Sequence, residues 1–289
     1  MGIVHLNGEY VPAERAVVSV DDRGFLFGDA CYEATPVYRG VPFLLDRHLG
    51  RLRRSLAATR IAFDPAQLVP VHDELIARNG LGECELGLVY VHITRGVAPR
   101  AHPFPDPPVA PTVYASAKEV RRGTDDEFER GAAAITRPDL RWLMTSIKST
   151  NLLANVLAQQ AALDVGATDV VLHRDGRITE GTHNNVFVVL GGGLFTPPAD
   201  GLILEGVTRG VLLELARADG MAVEERVLHL DDLVDAEEIF FTSATTELRA
   251  TVRLDGRTVG DGRPGPVTRR LRSLLRERIA QACESADRP

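Results

Sequence analysis

Short strand patterns and amphipathic helix patterns alternate along the whole chain, and this alternation limits the possible folds more than any other feature. In the first half, Asn7-Gly8 between two apolar runs is a strong hairpin signal. Apolar and polar side chains alternate from Leu86 to Thr94, which is typical of a buried strand. In the second half, strand and helix patterns follow one another up to a last helix that begins near Pro266. The chain is therefore predicted to have an α/β (α+β) fold.

Chain length and one change in composition indicate how the fold is divided. A chain of 289 residues is long enough for two domains or one large one. The strand pattern stops near residue 118, and a charged and polar stretch follows it. We therefore predict a first domain over residues 1–118, a linker over 119–127 and a second domain over 128–289.

Composition excludes several classes of function. The formal net charge is -7, and no concentrated basic face is evident, which argues against nucleic-acid binding. No apolar run reaches membrane-spanning length, and the first residues lack the layout of a signal peptide. The three cysteines are odd in number and have no metal-site spacing, which favours a reducing cytoplasm. We expect a cytoplasmic protein with no metal site and no nucleic-acid or membrane partner.

Capping residues and apolar periodicity predict the helices that flank the candidate site residues. Asp46 is the predicted cap of a helix that runs to about Thr59. Ser149 or Thr150 is the predicted cap of a helix that ends at Gly166, and Thr208 that of a helix to about Ala218. Between the predicted strands of the first half, residues 95–111 form a loop dense in proline and glycine. Long irregular loops in compact domains are often functional.

Lys148 and Glu180 are the two residues that most suggest a chemistry. A lysine amine forms a Schiff base with an aldehyde when it is neutral, and an apolar wall, here expected from Leu143, Met144 and Ile147, favours the neutral form. A carboxylate beside a pyridine nitrogen keeps that nitrogen protonated. Either residue alone is more often a surface charge or a loop carboxylate. Together they suggest a pyridoxal phosphate (PLP) enzyme.

Three further features are compatible with a phosphate group. Gly206-Val207-Thr208 precedes a predicted helix and offers backbone N–H groups and a hydroxyl. Residues 242–246 follow a predicted strand and offer more hydroxyls and amides, and Arg51 on the first long helix is well shaped for phosphate. Each one alone is as readily an ordinary cap or surface charge.

The order and spacing of several motifs resemble the class IV (fold-type IV) PLP-dependent aminotransferases. The matching motifs are DDRGFLFGD at 21–29, YE at 32–33, RHLGRL at 47–52, IKSTNLL at 147–153, TEG at 179–181, NVF at 185–187, GVTR at 206–209 and FTS at 241–243. The resemblance implies a small N-terminal α/β domain and a larger C-terminal domain with a mixed-sheet, barrel-like core. It also implies that Lys148 is the Schiff-base lysine and that Glu180 holds the pyridine nitrogen. The phosphate would be held by Arg51, Val207, Thr208, Ser243 and Ala244.

Within this family, the segment TRGVAPRAH at 94–102 resembles the loop of the D-amino-acid aminotransferases. That resemblance implies that Arg100, His102 and Tyr32 bind the substrate carboxylate, for which an arginine beside an imidazole and a phenol gives charge-assisted donors. It further implies ping-pong transamination of D-amino acids (D-alanine, D-glutamate) with 2-oxo acids (2-oxoglutarate, pyruvate). A homodimer is also implied, because the loop in such dimers reaches the neighbouring subunit.

Some residues depart from the pattern, and other activities stay open. His183 and Asn184 follow Glu180 where small hydroxyl residues are usual, and Pro36 occupies a strand position that normally faces the substrate. These departures concern substrate specificity. The alternatives within the family are a branched-chain L-amino-acid aminotransferase, an aminodeoxychorismate lyase and an (R)-amine aminotransferase. A non-catalytic PLP-binding or metabolite-sensing protein is the alternative from another class.

Overall fold

The computed structural model describes residues 2–286 and divides the chain into two compact units. The first unit contains the chain up to Arg121, the short segment Ile147–Asn151 and the C-terminal end from Ala282. The second unit contains Arg122–Ser146 and Leu152–Gln281. The segment around Lys148 thus leaves the second unit for five residues and packs with the first.

The first unit is a six-stranded antiparallel sheet with helices on one face. The strand order is β2-β1-β6-β5-β3-β4. Its elements are β1 (Ile3–Leu6), β2 (Glu9–Pro12), α1 (Arg23–Phe27), β3 (Ala30–Tyr38), β4 (Val41–Pro42), α2 (Leu45–Thr59), α3 (Val69–Arg78), β5 (Gly87–Thr94) and β6 (Val113–Glu119).

The two faces of this sheet differ because side chains alternate along each strand. One face packs its apolar residues with the inner faces of α2 and α3 in a single core, which includes Leu52, Val91 and Ile93. The other face carries half-buried residues, among them Tyr32 of β3 and its cross-strand partner His92 of β5. Neighbouring residues of β3 therefore point into different environments.

The second unit is built on a nine-stranded, curled mixed sheet. The order is β12-β11-β10-β13-β14-β7-β8-β9, with β15 paired to β14, and β14-β7-β8 run parallel. Its elements are α4 (Asp125–Arg130), β7 (Ala132–Pro138), α5 (Leu153–Leu163), β8 (Asp169–Arg174), β9 (Arg177–Ile178), β10 (Asn185–Leu190), β11 (Gly193–Thr196), α6 (Val207–Ala218), β12 (Val223–Glu225), β13 (Glu238–Ser243), β14 (Glu247–Leu254), β15 (Arg257–Thr258) and α7 (Pro266–Ala286).

Three predicted helix caps are wrong. Helix α2 begins at Leu45 after a left-handed Leu44, so Asp46 lies in the first turn, where its charge suits the helix dipole. Helix α5 begins at Leu153 without a side-chain cap, because the residues expected to cap it are extended beside β3. Thr208 lies inside α6, and Gly206 takes the cap position. In each case the residue that was predicted as the cap does not occupy the cap position.

The sequence pattern also missed several elements. Helix α1 has only five residues, which is too short for a periodic signal, although Asp22 caps it through the Gly24 N–H. Helix α4 carries a capping box between Thr124 and Glu127.

Among residues 2–286, no helix is long and apolar enough to cross a lipid bilayer.

Candidate active site

The main chain of Lys148 is fixed between a strand and a helix of the first unit. Its carbonyl accepts a hydrogen bond from the Tyr32 N–H (3.0 Å), and its own N–H donates to Ser55 Oγ (3.1 Å). Two residues further on, the Thr150 N–H donates to the Ala30 carbonyl (3.2 Å). The segment therefore extends along the start of β3, with α2 beside it.

The Lys148 side chain lies against an aromatic ring. Its Nζ is 4.2 Å from the centre of the Tyr32 ring, which in turn lies 5.7 Å from the Tyr90 ring. Of the residues expected to form an apolar wall, Ile147 is buried, whereas Leu143 and Met144 are largely exposed. The expectation is wrong for those two residues. Among the described contacts, the Tyr32 ring provides an apolar surface beside the Lys148 amine. The sequence did not indicate this role for Tyr32.

Arg51 is held by a buried carboxylate. Its Nε donates to Glu33 Oε2 (3.0 Å) and its Nη2 to Glu33 Oε1 (2.6 Å), which is a bidentate pair. The same carboxylate accepts from the Ala34 N–H (2.9 Å) and lies 3.1 Å from His48 Nδ1. His48 and Arg51 share one face of α2 with Ser55, which contacts Lys148. One helix face thus orients both Arg51 and the lysine backbone.

The charge state of this cluster follows from its partners. Burial alone would raise the pKa of the Glu33 carboxyl, but the Arg51 guanidinium and the His48 ring hold that pKa well below its usual range. Burial lowers the pKa of His48. A carboxylate can only accept, so the Nδ1 of His48 carries the shared proton. The cluster contains an ionised Glu33, an ionised Arg51 and a neutral His48.

Glu180 is buried in the second unit and is held by three donors. Arg141 Nη1 donates to Oε1, Asn185 Nδ2 donates to Oε2 (3.0 Å), and the Leu204 N–H lies 3.1 and 3.2 Å from the two oxygens. Burial raises the pKa of the Glu180 carboxyl above its usual value, and Arg141 and the Leu204 N–H oppose that rise only in part. An ionised carboxylate has about four acceptor sites, so the three donors found within residues 2–286 leave room for one more.

Arg141 connects Glu180 to a second buried carboxylate, that of Asp139. The sequence did not indicate Arg141 as a candidate site residue. Its Nε and Nη2 donate to the two oxygens of Asp139 (2.9 and 2.8 Å). Asp139 also accepts from Arg174 Nε (3.1 Å) and Thr179 Oγ1 (3.0 Å). Burial alone would raise the pKa of Asp139, but Arg141 and Arg174 lower it to about 2. Asp139 and Glu180 together raise the pKa of Arg141.

The remaining predicted phosphate-binding residues lie at two turns of the second unit. Val207 and Thr208 occupy the first turn of α6, and the Gly206 cap offers no side-chain oxygen to the N–H groups of that turn. Ser243 ends β13 and Ala244 begins the tight turn to β14, where Ser243 Oγ accepts from the Thr246 N–H (3.1 Å). Helix α6 packs against β13.

Arg100 and His102 are exposed on the loop between β5 and β6. The Arg100 guanidinium lies 5.3 Å from the centre of the Phe27 ring, and the His102 and Phe27 ring centres are 5.7 Å apart. Both side chains therefore rest on α1, and neither is packed into the core of the first unit.

Among the departures from the family pattern, His183 is exposed and lies 3.0 Å from Thr182 Oγ1. Asn184 is buried and donates to Asp169 Oδ1 (2.7 Å). Pro36 is buried within β3, and its carbonyl accepts from the Phe43 N–H (2.8 Å). The Pro36 carbonyl thus takes part in a backbone hydrogen bond, although proline has no N–H to donate.

Each unit, taken by itself, contains donor groups that are chemically suited to PLP. The first unit contributes a half-buried lysine amine and an oriented arginine, for the aldehyde and the phosphate respectively. The second contributes a carboxylate with acceptor capacity for the ring nitrogen. It also contributes a helix start that lacks a side-chain cap, which suits phosphate. Among residues 2–286, no group of three or more His, Cys, Asp or Glu residues is placed to bind a metal ion.

Comparison with known proteins identifies the family. The model of the family "Amino-transferase class IV" matches residues 30–253. The chain is 38% identical over 278 residues to a D-alanine aminotransferase of Bacillus licheniformis, covering 96% of each chain. It is 39% identical over 284 residues to a D-alanine aminotransferase of Listeria monocytogenes, covering 97% of each chain.

Solved structures show the same fold. The branched-chain amino acid aminotransferase of Escherichia coli is 27% identical, with a TM-score of 0.85 over 94% of this chain and 92% of that one. A T.th. branched-chain amino acid aminotransferase with pyridoxamine 5'-phosphate is also 27% identical, with a TM-score of 0.87 over 97% of this chain and 95% of that one. The chain belongs to the class IV aminotransferases. It is a PLP-dependent enzyme with the fold-type IV architecture.

Proposed function

We propose that the protein exchanges amino groups between D-amino acids, such as D-alanine and D-glutamate, and the 2-oxo acids pyruvate and 2-oxoglutarate. The observation that carries the proposal is the placement of Lys148, whose backbone is fixed and whose amine lies on the Tyr32 ring. Preference for D-amino acids is supported by the identity of 38–39% to D-alanine aminotransferases, against 27% to branched-chain aminotransferases of known structure. The loop with Arg100 and His102 supports the same preference.

The cofactor-binding roles follow from the donor groups. Lys148 is the residue that forms the Schiff base, and Glu180 accepts from the ring nitrogen. Arg51 binds the phosphate, and Val207, Thr208, Ser243 and Ala244 have the same role. Glu33 supports this assignment for Arg51, because it orients the guanidinium through two charge-assisted hydrogen bonds.

The chemistry that PLP supplies when bound is an electron sink for the substrate α-carbon. Lys148 Nζ then takes the α-proton and returns it, acting as a single base on one face. Arg100, His102 and the Tyr32 hydroxyl bind the substrate carboxylate. Glu180, whose ionised form Arg141 favours, accepts a hydrogen bond from the protonated ring nitrogen. Release of the 2-oxo acid before the second substrate binds makes the kinetics ping-pong.

A homodimer and a cytoplasmic location belong to the same proposal. Leu153, Val156 and Leu157 lie on one face of α5 and are largely exposed. A contiguous exposed apolar stripe is typical of a protein interface, and a second copy of this chain would cover it. The three cysteines are free and buried, which suits a reducing compartment.

The deciding experiment is the absorption spectrum of the PLP-loaded enzyme with D-alanine, and separately with L-leucine, without any 2-oxo acid. We expect D-alanine to remove the visible band of the lysine-bound cofactor and L-leucine to leave it unchanged. Removal by L-leucine alone would support the alternative of a branched-chain aminotransferase, the activity named for the solved structures that share this fold. No change with either amino acid, in an enzyme that carries the cofactor, would overturn transamination of both substrate classes.

A further inference from the structure

Helix α1 forms a platform for the loop that carries Arg100 and His102. Its first and last residues, Arg23 and Phe27, are one turn apart, and the Arg23 guanidinium carbon is 4.8 Å from the Phe27 ring centre. Phe27 contacts the side chains of Arg100 and His102, as described above. Arg23 contacts the main chain of the same loop.

The contacts of Arg23 reach three successive carbonyls. Nη1 donates to the carbonyls of Ala101 (2.6 Å) and Pro103 (3.3 Å), and Nη2 donates to the carbonyl of His102 (3.3 Å). The side chain of Arg23 is only 4% exposed, so these charge-assisted bonds are largely shielded from water. The backbone on both sides of His102 is thereby tied to α1.

A second arginine, Arg95, shares the carboxylate of Asp29 with Arg23. Asp29 accepts from Arg23 Nε (2.9 Å) and from Arg95 Nε and Nη2 (2.7 and 2.9 Å). Arg95 also donates to the carbonyls of Thr59 (2.6 Å) and Arg60 (2.9 Å) at the end of α2. Burial alone would raise the pKa of Asp29, but the two arginines lower it. The loop is thus connected through Arg23, Asp29 and Arg95 to the helix that carries Arg51.

We propose that Arg23 is a positioning residue for substrate recognition, and this inference rests on the proposed function. An exposed loop of this length has many conformations, and each lost degree of freedom costs free energy. The Arg23 guanidinium donates hydrogen bonds to the backbone carbonyls from Ala101 to Pro103, next to Arg100. They hold Arg100 and His102 in one orientation before the substrate carboxylate arrives. Without them, binding of the carboxylate would have to order the loop first.

The test is a double-mutant cycle between Arg23→Met and Arg100→Ala, with steady-state kinetics for D-alanine. A displacement of about 1 Å in a binding group can cost about 100-fold. We expect Arg23→Met to raise KM between about tenfold and about 100-fold, with a smaller change in kcat and unchanged PLP affinity. In the Arg100→Ala background the same substitution should have a clearly smaller effect, because the group that it positions is gone.

A purely structural role predicts a different pattern. It would lower kcat and PLP affinity along with the thermal midpoint, and the Arg23→Met effect would be the same in both backgrounds. Either result would overturn the proposal. Arg78→Met is the matched control, because Arg78 also stacks on an aromatic ring and pairs with a carboxylate, Glu74, but at an exposed position. We expect no change in KM for it.

Two further measurements keep the outcome decisive. Hydrogen exchange should accelerate in residues 97–106 of Arg23→Met and stay unchanged in the sheet. If the methionine variant does not fold, Arg23→Lys keeps the charge beside Asp29 but lacks the planar guanidinium that reaches three carbonyls, and the same cycle applies.

Absence of D-alanine turnover in the unaltered enzyme would instead refute the proposed function. Normal turnover with an unchanged KM in the Arg23 variants would refute only the role of Arg23.

Discussion

Glu33 and Arg51 form a bidentate ion pair on the face of the sheet opposite to the face that carries Tyr32. Successive residues of β3 therefore contact different residues of the candidate active site. Tyr32 contacts the Lys148 amine, whereas Glu33 points to α2 and fixes the arginine proposed to bind phosphate. The strand alternation thus allows one segment to contact the Lys148 amine and to orient the Arg51 guanidinium separately.

Replacement of Glu33 by Gln should weaken PLP binding and stability together. The substitution removes the negative charge but leaves Arg51 buried, and loss of one partner of a buried pair costs about 3–5 kcal/mol. Chemical denaturation and PLP titration measure both effects. Glu74→Gln is the control, because its pair with Arg78 is exposed and should contribute less than about 1 kcal/mol. Normal PLP affinity in Glu33→Gln would contradict the orienting role of Glu33.

Lys148→Ala should abolish transamination, since the variant lacks both the Schiff-base amine and the base. The chain contains only two lysines, Lys118 and Lys148, which makes the test unusually clean. Borohydride reduction of the PLP-loaded enzyme, followed by peptide mass spectrometry, should place the cofactor on Lys148 alone. Lys118→Ala, at an exposed position, should keep full activity. Turnover in Lys148→Ala, or label on Lys118, would refute the assignment.

The sequence identified most residues that the proposal uses, but not the residues that hold them. Lys148, Arg51 and Glu180 occur in motifs with a recognisable order. Their partners Glu33 and Arg141 contact them through the folded sheet, at separations that no local pattern encodes. The return of the Lys148 segment to the first unit depends on hydrogen bonds to β3, which are likewise tertiary. Strand β14 could have been found, because Leu248, Ala250, Val252 and Leu254 alternate and are buried.

Arg141→Met should impair catalysis more than cofactor capture. Burial raises the pKa of Glu180, and Arg141 opposes that rise. Without the guanidinium the carboxyl becomes protonated at higher pH and no longer balances a protonated ring nitrogen. We expect kcat to fall about 100-fold or more, a loss of about 3 kcal/mol in transition-state stabilisation. Arg141→Lys should recover part of the rate. A shift of the pH–rate profile is the specific sign, and an unchanged profile would contradict the role of Arg141.

The stability of the fold at acidic pH should depend on Asp139, the other carboxylate that pairs with Arg141. Because the native pKa of Asp139 is about 2, below its ordinary value of 3.8, its ionised form stabilises the fold. That stabilisation is fully present above about pH 5 and is lost as the pH falls toward 2. The shift of nearly two units corresponds to about 2 kcal/mol. In Asp139→Asn, the free energy of unfolding should therefore depend less on pH between 5 and 2 than in the unaltered enzyme. Urea denaturation at several pH values measures this slope, with Asp21→Asn, an exposed carboxylate, as the control. Equal slopes in the Asp139 variant and the unaltered enzyme would show that Asp139 does not carry the acid-labile stability.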